Sequence, residues 1–415
     1  MSEQTTLTID GAKLDPSADL DGLRGKALVI GIAGALATVG GYFVAGEKVF
    51  YRGYLIGWVY WLGIALGLFM LCMVTHLANG RFGIQMHRVQ EGAGRTVPFF
   101  FLAGLPILFG GMHTLFPWDR PEALHDALVL EKMGYLKRWM EFEGPNPEWM
   151  YWVPGFMPRY AIYFLVWTIW AFVMSSLSKR HDETGDHSLV ERQQKWSAGG
   201  LVVFVMVATF ASVDWLMSTE PHWFSSLYGP QMLIWQALSA VAFTIPLMAF
   251  LAARKPLGHL VKKSHWHDHG KLLLAFTMVW GYFTVSQYLI IWSGNLPEEV
   301  PWYLYRNTEG WKYFTIAVVL GSFLVPFVAL LSQDIKFKPK TLIPVALVVL
   351  VFRWFDYYWQ VAPNLHKYGF TINPFDFAPW VGIGGLWVWL FLGQLKDRPI
   401  VPVEHPVIKE AWSDG

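Results

Sequence analysis

The sequence predicts an all-α integral membrane protein with about ten transmembrane helices. Of its 415 residues, 54% are hydrophobic and 17% aromatic, whereas only 15% are charged. Soluble domains average about 25% charged residues. A helix needs about 20 predominantly apolar residues to cross the hydrocarbon core of a bilayer. Runs of nearly that length recur ten times, separated by polar segments, so the composition favours a polytopic membrane protein over soluble domains.

The apolar runs define one ten-helix domain over 27–394, between an N-terminal segment (1–26) and a C-terminal tail (395–415). The predicted spans are 27–45, 54–77, 97–116, 154–178, 197–218, 227–252, 270–292, 312–332, 341–360 and 378–394. The long connection 117–153 contains "LHDALVLEKMGYLKRWMEF". Its alternation of apolar and charged residues predicts a surface helix outside the bilayer.

The orientation of the spans follows from the distribution of Lys and Arg among the connections. One side of the predicted topology holds 21 of these residues and the other nine, with Arg159 and Arg353 excluded as embedded. Because cytoplasmic loops are enriched in Lys and Arg, both termini are predicted to be cytoplasmic. The net charge of +1 leaves no electrostatic basis for binding nucleic acid.

The cysteine and histidine pattern predicts no haem, iron–sulfur cluster or other metal bound by this chain. Cys72 is the single cysteine, which excludes c-type haem attachment and a cysteine-ligated cluster within the chain. Haem b would need two histidines at the same depth in facing helices. The embedded candidates are His76 and His113. His76 is predicted at the inner side of the membrane and His113 at the outer side, so they cannot share one iron.

Ionisable and polar residues within or beside the spans are the candidate functional residues, because burying such groups in a membrane is costly. They are His113, Asp214, Glu220, His222, Gln287, Glu298, Glu299, Arg353 and Asp356. Each lies toward the C-terminal end of a span that runs outward, which predicts a polar and aromatic crevice on the outer side. The inner half is predicted to hold much less: His76, Asn79 and Asp334.

Two interpretations stay open for most of these residues. Arg353 and Asp356 are three positions apart on one helix and are predicted to pair. That pair either makes an embedded arginine tolerable or belongs to a proton path. Asp214 has no evident partner in the sequence and is the first candidate to carry a proton. Glu220 and His222 flank Pro221 and belong either to a plain interfacial turn or to the same chemistry.

Two motifs give the chain a resemblance to a known family. "FTVSQYLIIWSGNLPEEVPWYLYR" (283–306) and "SVDWLMSTEPHWFSSLYG" (212–229), together with the ten-span layout, resemble the smaller NrfD-like membrane subunits of bacterial alternative complex III. These are relatives of the polysulfide-reductase membrane anchor. The similarity extends over nearly the whole chain. It implies two four-helix bundles, spans 2–5 and 6–9, with the first and last helices peripheral.

The resemblance also implies a function and a set of partners. The family belongs to complexes of the bacterial cytoplasmic membrane that oxidise quinol or menaquinol and pass the electrons to iron–sulfur clusters and haem c. Those cofactors reside in partner subunits: an iron–sulfur protein, c-type cytochromes, a larger NrfD-like paralogue and other membrane subunits. Asp214, Arg353 and Asp356 are then expected to relay protons. His113, Glu220, His222 and Gln287 are expected at a quinol-binding or polar outer crevice.

Other readings of the same residues remain. In one, the chain is a structural scaffold whose polar groups hold helices together and dock the outer partners. In another, it is a secondary transporter, a class that often shows helices broken near the bilayer midplane. Glu298 and Glu299 lie between Pro297 and Pro301. They belong either to a loop that docks partner subunits or to the acidic exit of a proton path.

Overall fold

Within the residues that it describes, the computed structural model has ten helices long and apolar enough to cross a membrane, which confirms the all-α membrane fold. It describes residues 8–9, 12–13, 17–78, 86–120, 125–132, 136–138, 154–253, 261–308, 310–366 and 369–396. The spans, numbered 1 to 10, are Leu20–Ala45, Glu47–Ala78, His87–Leu115, Phe156–Thr184, Ser188–Thr219, Tyr228–Ala252, Lys263–Gly294, Trp311–Leu331, Pro339–Leu365 and Pro374–Lys396. We call the end of the spans that bears Glu298 the outer end and the opposite one the inner end, after the predicted orientation.

Several spans consist of consecutive helical segments, and shorter helices lie between them. Span 1 belongs to the helix Ser17–Ala45, and spans 2, 4, 6, 7 and 9 are single helices with the bounds given above. Span 3 comprises His87–Gly94, Val97–Pro106, the π-helical turn Ile107–Gly111 and Met112–Leu115; span 5 comprises Ser188–Trp215 and the 3-10 turn Met217–Thr219. Span 8 comprises Trp311–Val319, the π-helical turn Leu320–Leu324 and Val325–Leu331; span 10 comprises the 3-10 turn Pro374–Asp376 and Ala378–Lys396. The remaining elements are the 3-10 turn Pro117–Asp119, the helices Ala127–Lys132, Val300–Tyr305 and Gln333–Phe337, and the paired two-residue strands Thr8–Ile9 and Ala12–Lys13.

The spans extend further into the polar connections than the apolar runs predict. The helix of span 1 begins at Ser17, ten residues before the predicted start, and Asp21 near its start forms an ion pair with Lys396 at the end of span 10. Span 3 begins at His87 rather than at residue 97. Hydropathy detects only the apolar part of a helix. It therefore does not reveal the charged turns with which these helices begin.

Two four-helix bundles form the body of the protein, as the family resemblance implies. Spans 2–5 pack on one another, and spans 6–9 form the second bundle. Spans 2, 5, 6 and 9 make the contact between the bundles, and span 2 is the most deeply buried of the ten. This arrangement brings polar groups of both bundles toward the centre of the molecule.

Span 1 and span 10 pack along each other at the periphery. A Cβ atom at Gly34 would lie 2.4 Å from the backbone nitrogen of Gly382, and one at Gly385 would lie 2.4 Å from that of Gly31. Small residues spaced along two helices let their backbones approach this closely, a common device of membrane helix packing. Van der Waals contact between backbones therefore joins the peripheral pair, in addition to the Asp21–Lys396 ion pair.

Parts of two predicted segments lie outside the described residues. In the 117–153 connection the structure describes a helix over Ala127–Lys132, a part of the predicted surface helix, but not residues 139–153. Asn79 and the C-terminal residues 397–415 are likewise outside the description.

Candidate functional site

Asp214 lies at the centre of a buried polar group in the first bundle. Its two carboxylate oxygens accept hydrogen bonds from Arg159 Nη2 at 2.7 Å and Arg159 Nε at 2.8 Å. The Tyr163 hydroxyl donates a third at 2.7 Å. Asp214 is 1% exposed, and Trp215 and Trp167 pack around the group. The bidentate geometry is the strongest form of arginine–carboxylate pairing.

The prediction that Asp214 lacks a partner is wrong. Arg159 is 55 positions away in the sequence, at the beginning of span 4, and helix packing brings it against the end of span 5. A sequence pattern shows partners within one helix turn, but it does not show which residues of neighbouring helices share a depth. Asp214 is therefore a paired carboxylate in a polar network.

Arg353 and Asp356 form the corresponding group in the second bundle, and their predicted pairing is confirmed. Arg353 Nη2 donates to Asp356 Oδ2 at 2.5 Å and to the Ser322 hydroxyl at 3.0 Å, while Trp280 Nε1 donates to Asp356 at 3.0 Å. Ser322 lies in the π-helical turn of span 8, a distortion that often marks functional positions. The guanidinium also lies 5.0 Å from the ring of Trp235, so its charge is stabilised by aromatic faces.

The pairing of Arg353 is incomplete. Its Nε and Nη1 atoms have no hydrogen-bond partner among the described residues, although the side chain is fully buried. Buried donors are nearly always satisfied by protein or by ordered water. An arginine with two open donors is therefore a place where water or a ligand oxygen would be stabilised.

A small cavity lies where the bundles meet, lined by residues of both bundles. Its volume is about 20 Å³, enough for one water molecule. The lining includes Trp215, next to Asp214, and Tyr357, next to Asp356. Trp215 Nε1 and Gln236 Oε1, which also line it, have no hydrogen-bond partner in the described part of the chain. A water molecule there would satisfy a donor and an acceptor at once.

A second cluster of titratable groups lies at the outer end, around His222. The ring of His222 contacts Asp126 Oδ2 through Nε2 at 2.5 Å and Glu220 Oε1 through Nδ1 at 3.1 Å. Lys132 donates to the carbonyl of Pro221 at 2.6 Å, and burial lowers its pKa from the ordinary value. The predicted residues Glu220 and His222 thus share one cluster with two residues of the 117–153 connection.

His113 lies apart from Asp214. Its side chain is 63% exposed, and its Nδ1 lies 3.1 Å from Asp119, which also binds Arg138. Asp214 has Arg159 and Tyr163 as its hydrogen-bond partners instead. The outer polar residues are accordingly divided among separate clusters and do not line a single crevice, because the two bundles and the 117–153 connection keep them apart.

Gln287 lies one helical turn beyond a large apolar cavity. The cavity has a volume of about 440 Å³, and its walls are apolar apart from Thr75. Spans 2, 5, 6 and 7 line it, with Phe283 contributed by span 7. Gln287 is 4% exposed, and its Oε1 has no hydrogen-bond partner among the described residues. Apolar pockets of this size with a few placed polar groups are typical binding sites for small molecules.

The two family-like motifs contact each other at the outer end. Trp223 of the first motif stacks on Trp302 of the second, with ring centroids 4.5 Å apart and planes at 15°. Arg306 lies over Trp302, at 3.5 Å from its ring, and donates to the carbonyls of Trp359 and Gln360. The stack of Trp223 on Trp302 connects the two loops, and the cation–π contact and hydrogen bonds of Arg306 hold the second loop against span 9.

The exposed part of the same loop bears the acidic pair. Glu298 is exposed and Glu299 half-buried, as expected for residues beyond the end of span 7. Asn295 ends that span in the left-handed conformation, with φ of 47°, a standard helix ending. Glu298 and Glu299 are therefore available to a partner at the outer end.

One buried ion pair was not predicted from the sequence. Arg52, near the start of span 2, binds Asp376 through Nε at 2.9 Å and Nη2 at 2.7 Å, and both residues are fully buried. Tyr358 also donates to Asp376, at 3.2 Å. Arg52 and Asp376 both lie just outside the predicted spans 54–77 and 378–394, so hydropathy gives no sign that they are buried.

The inner half is richer in buried polar groups than predicted. Arg88 binds Glu91 at 3.0 Å and also pairs with Asp182 of span 4, and the Ser178 hydroxyl donates to Glu91 at 2.8 Å. His87, next to Arg88, contacts His76 at 2.7 Å. The prediction of few polar groups in the inner half is wrong. The polar segment 87–94 lies outside the predicted spans, but in the structure it is a fully buried helix.

No protein-family model matches the chain, and no curated protein is similar to it at a significant level.

Proposed function

We propose that this chain is a membrane subunit of a quinol-oxidising respiratory complex, in which its buried aspartates relay protons while partner subunits carry the electrons. Oxidation of one quinol releases two protons, so the reaction requires titratable groups that accept and pass them. The family resemblance of the two motifs suggests the complex. The localisation proposed with it is the bacterial cytoplasmic membrane, with both termini cytoplasmic.

One observation supports the relay more than any other. Asp214 and Asp356 lie in different bundles, and the residues that follow them in the sequence, Trp215 and Tyr357, line one water-sized cavity. A carboxylate that is hydrogen-bonded by arginine exchanges a proton only when the pair loosens. Water in the cavity would supply the intermediate donor and acceptor between the two aspartates.

The quinol is proposed to enter the apolar cavity beside span 7. The isoprenoid tail would occupy the apolar walls, and a quinol hydroxyl would donate to the unpartnered Oε1 of Gln287. A photoreactive quinone should then label this chain in the assembled complex. Gln287→Leu should reduce the labelling, while Gln193→Leu, at another buried glutamine, should not. Equal labelling of wild type and Gln287→Leu would exclude this site.

The relay is tested by the turnover and proton release of the complex reconstituted into liposomes. Asp214→Asn or Asp356→Asn should lower turnover by about a hundredfold, the lower end of what a positioned acid–base group contributes to a rate. Asp376→Asn is the matched control, because it removes an equally buried bidentate partner of arginine away from the cavity. Unchanged turnover and proton release in the first two variants would remove these aspartates from the mechanism.

A scaffold role is the second candidate function. The contact between the two outer loops that bear Trp223 and Trp302 favours it. The Trp223–Trp302 stack joins the loop after span 5 to the loop that bears Glu298, and Arg306 fixes the second loop to span 9. If docking is the main function, Glu298→Lys together with Glu299→Lys should release the outer partners from the purified complex. In that case Asp214→Asn would leave turnover intact in complexes that still assemble.

A further inference from the structure

Cys72, His76 and His87 converge at the inner end of the first bundle. All three are buried, and their potential ligand atoms lie within 4.8 Å of one another. Cys72 and His76 are four positions apart on span 2, which puts both side chains on one face of the helix. His87 approaches from the first turn of span 3. Two neighbouring helices thus bring three strong ligands to one point.

We propose that these three residues bind a zinc ion. A thiolate and two imidazoles are the donors that Zn²⁺ prefers, whereas Mg²⁺ and Ca²⁺ require oxygen ligands. Three protein ligands leave the fourth tetrahedral position for a water molecule or another donor. The sequence-based expectation of no metal in this chain rests on the embedded candidates His76 and His113. His87 lies outside the predicted spans but belongs to the buried helix that begins span 3.

The observed separations suit a site that closes around an ion. The Nε2 atoms of His76 and His87 are 2.7 Å apart, so in this arrangement one ring donates a hydrogen bond to the other. Two nitrogens bound to one tetrahedral Zn²⁺, each at about 2.0–2.1 Å, lie about 3.3 Å from each other. A shift of roughly half an ångström, within the reach of small ring rotations, converts the contact into a ligand pair.

The charges around the three residues favour a bound cation. Arg88 pairs with two carboxylates, those of Glu91 and Asp182. Glu91 and Arg88 also lie within electrostatic range of Cys72. A zinc ion with one thiolate carries a single positive charge, which these carboxylates help to stabilise. Buried charges are tolerated when they are balanced in this way.

The zinc would join span 2 to span 3 at the inner end and would take no part in electron transfer, because Zn²⁺ has no redox chemistry in proteins. None of the three ligands lines the water-sized cavity or the apolar cavity, although Leu71 and Thr75, which precede Cys72 and His76, line the apolar one. Metal binding and quinol oxidation therefore have independent readouts.

Metal analysis of the purified, untagged complex tests the proposal. One zinc per copy of this chain should be present, and it should be lost in His87→Gln. His187→Gln, at an exposed histidine of the same end, should retain it. In protein loaded with Co²⁺, Cys72→Ser should abolish the thiolate-to-cobalt charge-transfer band. That band reports a direct Cys–metal bond, which a merely structural role of Cys72 would not produce.

Three outcomes would overturn it. The first is that the purified wild-type complex contains no zinc and takes up none when it is dialysed against an equimolar amount of Zn²⁺. The second is equal zinc in His87→Gln and wild type. The third is uptake of copper but not zinc. Thermal melting of each variant complex separates loss of the metal from loss of the fold, because a folded His87→Gln complex without zinc still supports the site.

Discussion

Asp214 binds Arg159 through both carboxylate oxygens and accepts a third hydrogen bond from Tyr163, all within 2.8 Å. Removing charges from water is costly, and only good geometry with additional hydrogen bonds repays that cost. The Tyr163 hydroxyl is the additional bond, and it satisfies a lone pair that the bidentate arginine leaves open. Arg159 and Tyr163 together therefore fix the position of the Asp214 carboxylate.

Tyr163→Phe should destabilise the protein more than Tyr160→Phe. The first removes a donor to a carboxylate and should cost about 2 kcal/mol, whereas the second removes a bond to the Phe101 carbonyl and should cost about 1 kcal/mol. Both variants delete one hydroxyl from neighbouring positions of span 4. Denaturant titration of the two purified variants measures the difference, and equal losses would contradict the special role of the carboxylate.

Asp356→Asn should lower the free energy of unfolding more than the double substitution that removes both charges of the Arg353–Asp356 pair. The single substitution leaves Arg353 charged and fully buried, which costs about 3–5 kcal/mol. The double substitution Arg353→Met with Asp356→Asn removes the uncompensated charge and should recover much of the loss. A double-mutant cycle on unfolding free energies gives the coupling energy. Additive effects would show that the two side chains do not interact in solution.

Gly34→Leu should separate span 1 from span 10. A Cβ at Gly34 would already lie 2.4 Å from the backbone of Gly382, so no side chain fits without moving the helices apart. Gly40→Leu is the control, since nothing lies within 4 Å of the corresponding Cβ in the same span. Protease accessibility of span 1 in detergent should rise in the first variant alone. Protection of both variants would mean that the pair packs differently.

The sequence predicts what depends on composition and on neighbours within one helix. The ten spans follow from hydropathy, and the Arg353–Asp356 pair follows from a spacing of three on one helix. Contacts between helices have no such local signal. Asp214 and Arg159 are 55 positions apart, and Arg52 and Asp376 are 324 apart. Only the packing of the spans brings these partners together.

The inner cluster escaped prediction for a different physical reason. The segment around His87 is polar and glycine-rich, a composition typical of loops, and its mean hydropathy is low. It is nevertheless a buried helix because Arg88, Glu91 and Asp182 satisfy one another inside the protein. Paired charges make a polar helix compatible with burial, and pairing is a property of the fold.

His366 should make stability depend on pH at the outer end of span 9. Burial lowers the pKa of His366 below its ordinary value, and the nearby charges of Arg52 and Lys48 lower it further, while Asp376 opposes them. The unfolded chain therefore binds a proton more readily than the folded one. The resulting stability is present above the unfolded pKa of about 6.5 and is lost as the pH falls through the range below it. The melting temperature of wild type should drop between ~pH 7.5 and ~pH 5 more than that of His366→Gln. The exposed His187→Gln variant should follow wild type, and a His366→Gln variant with the wild-type pH slope would refute this assignment.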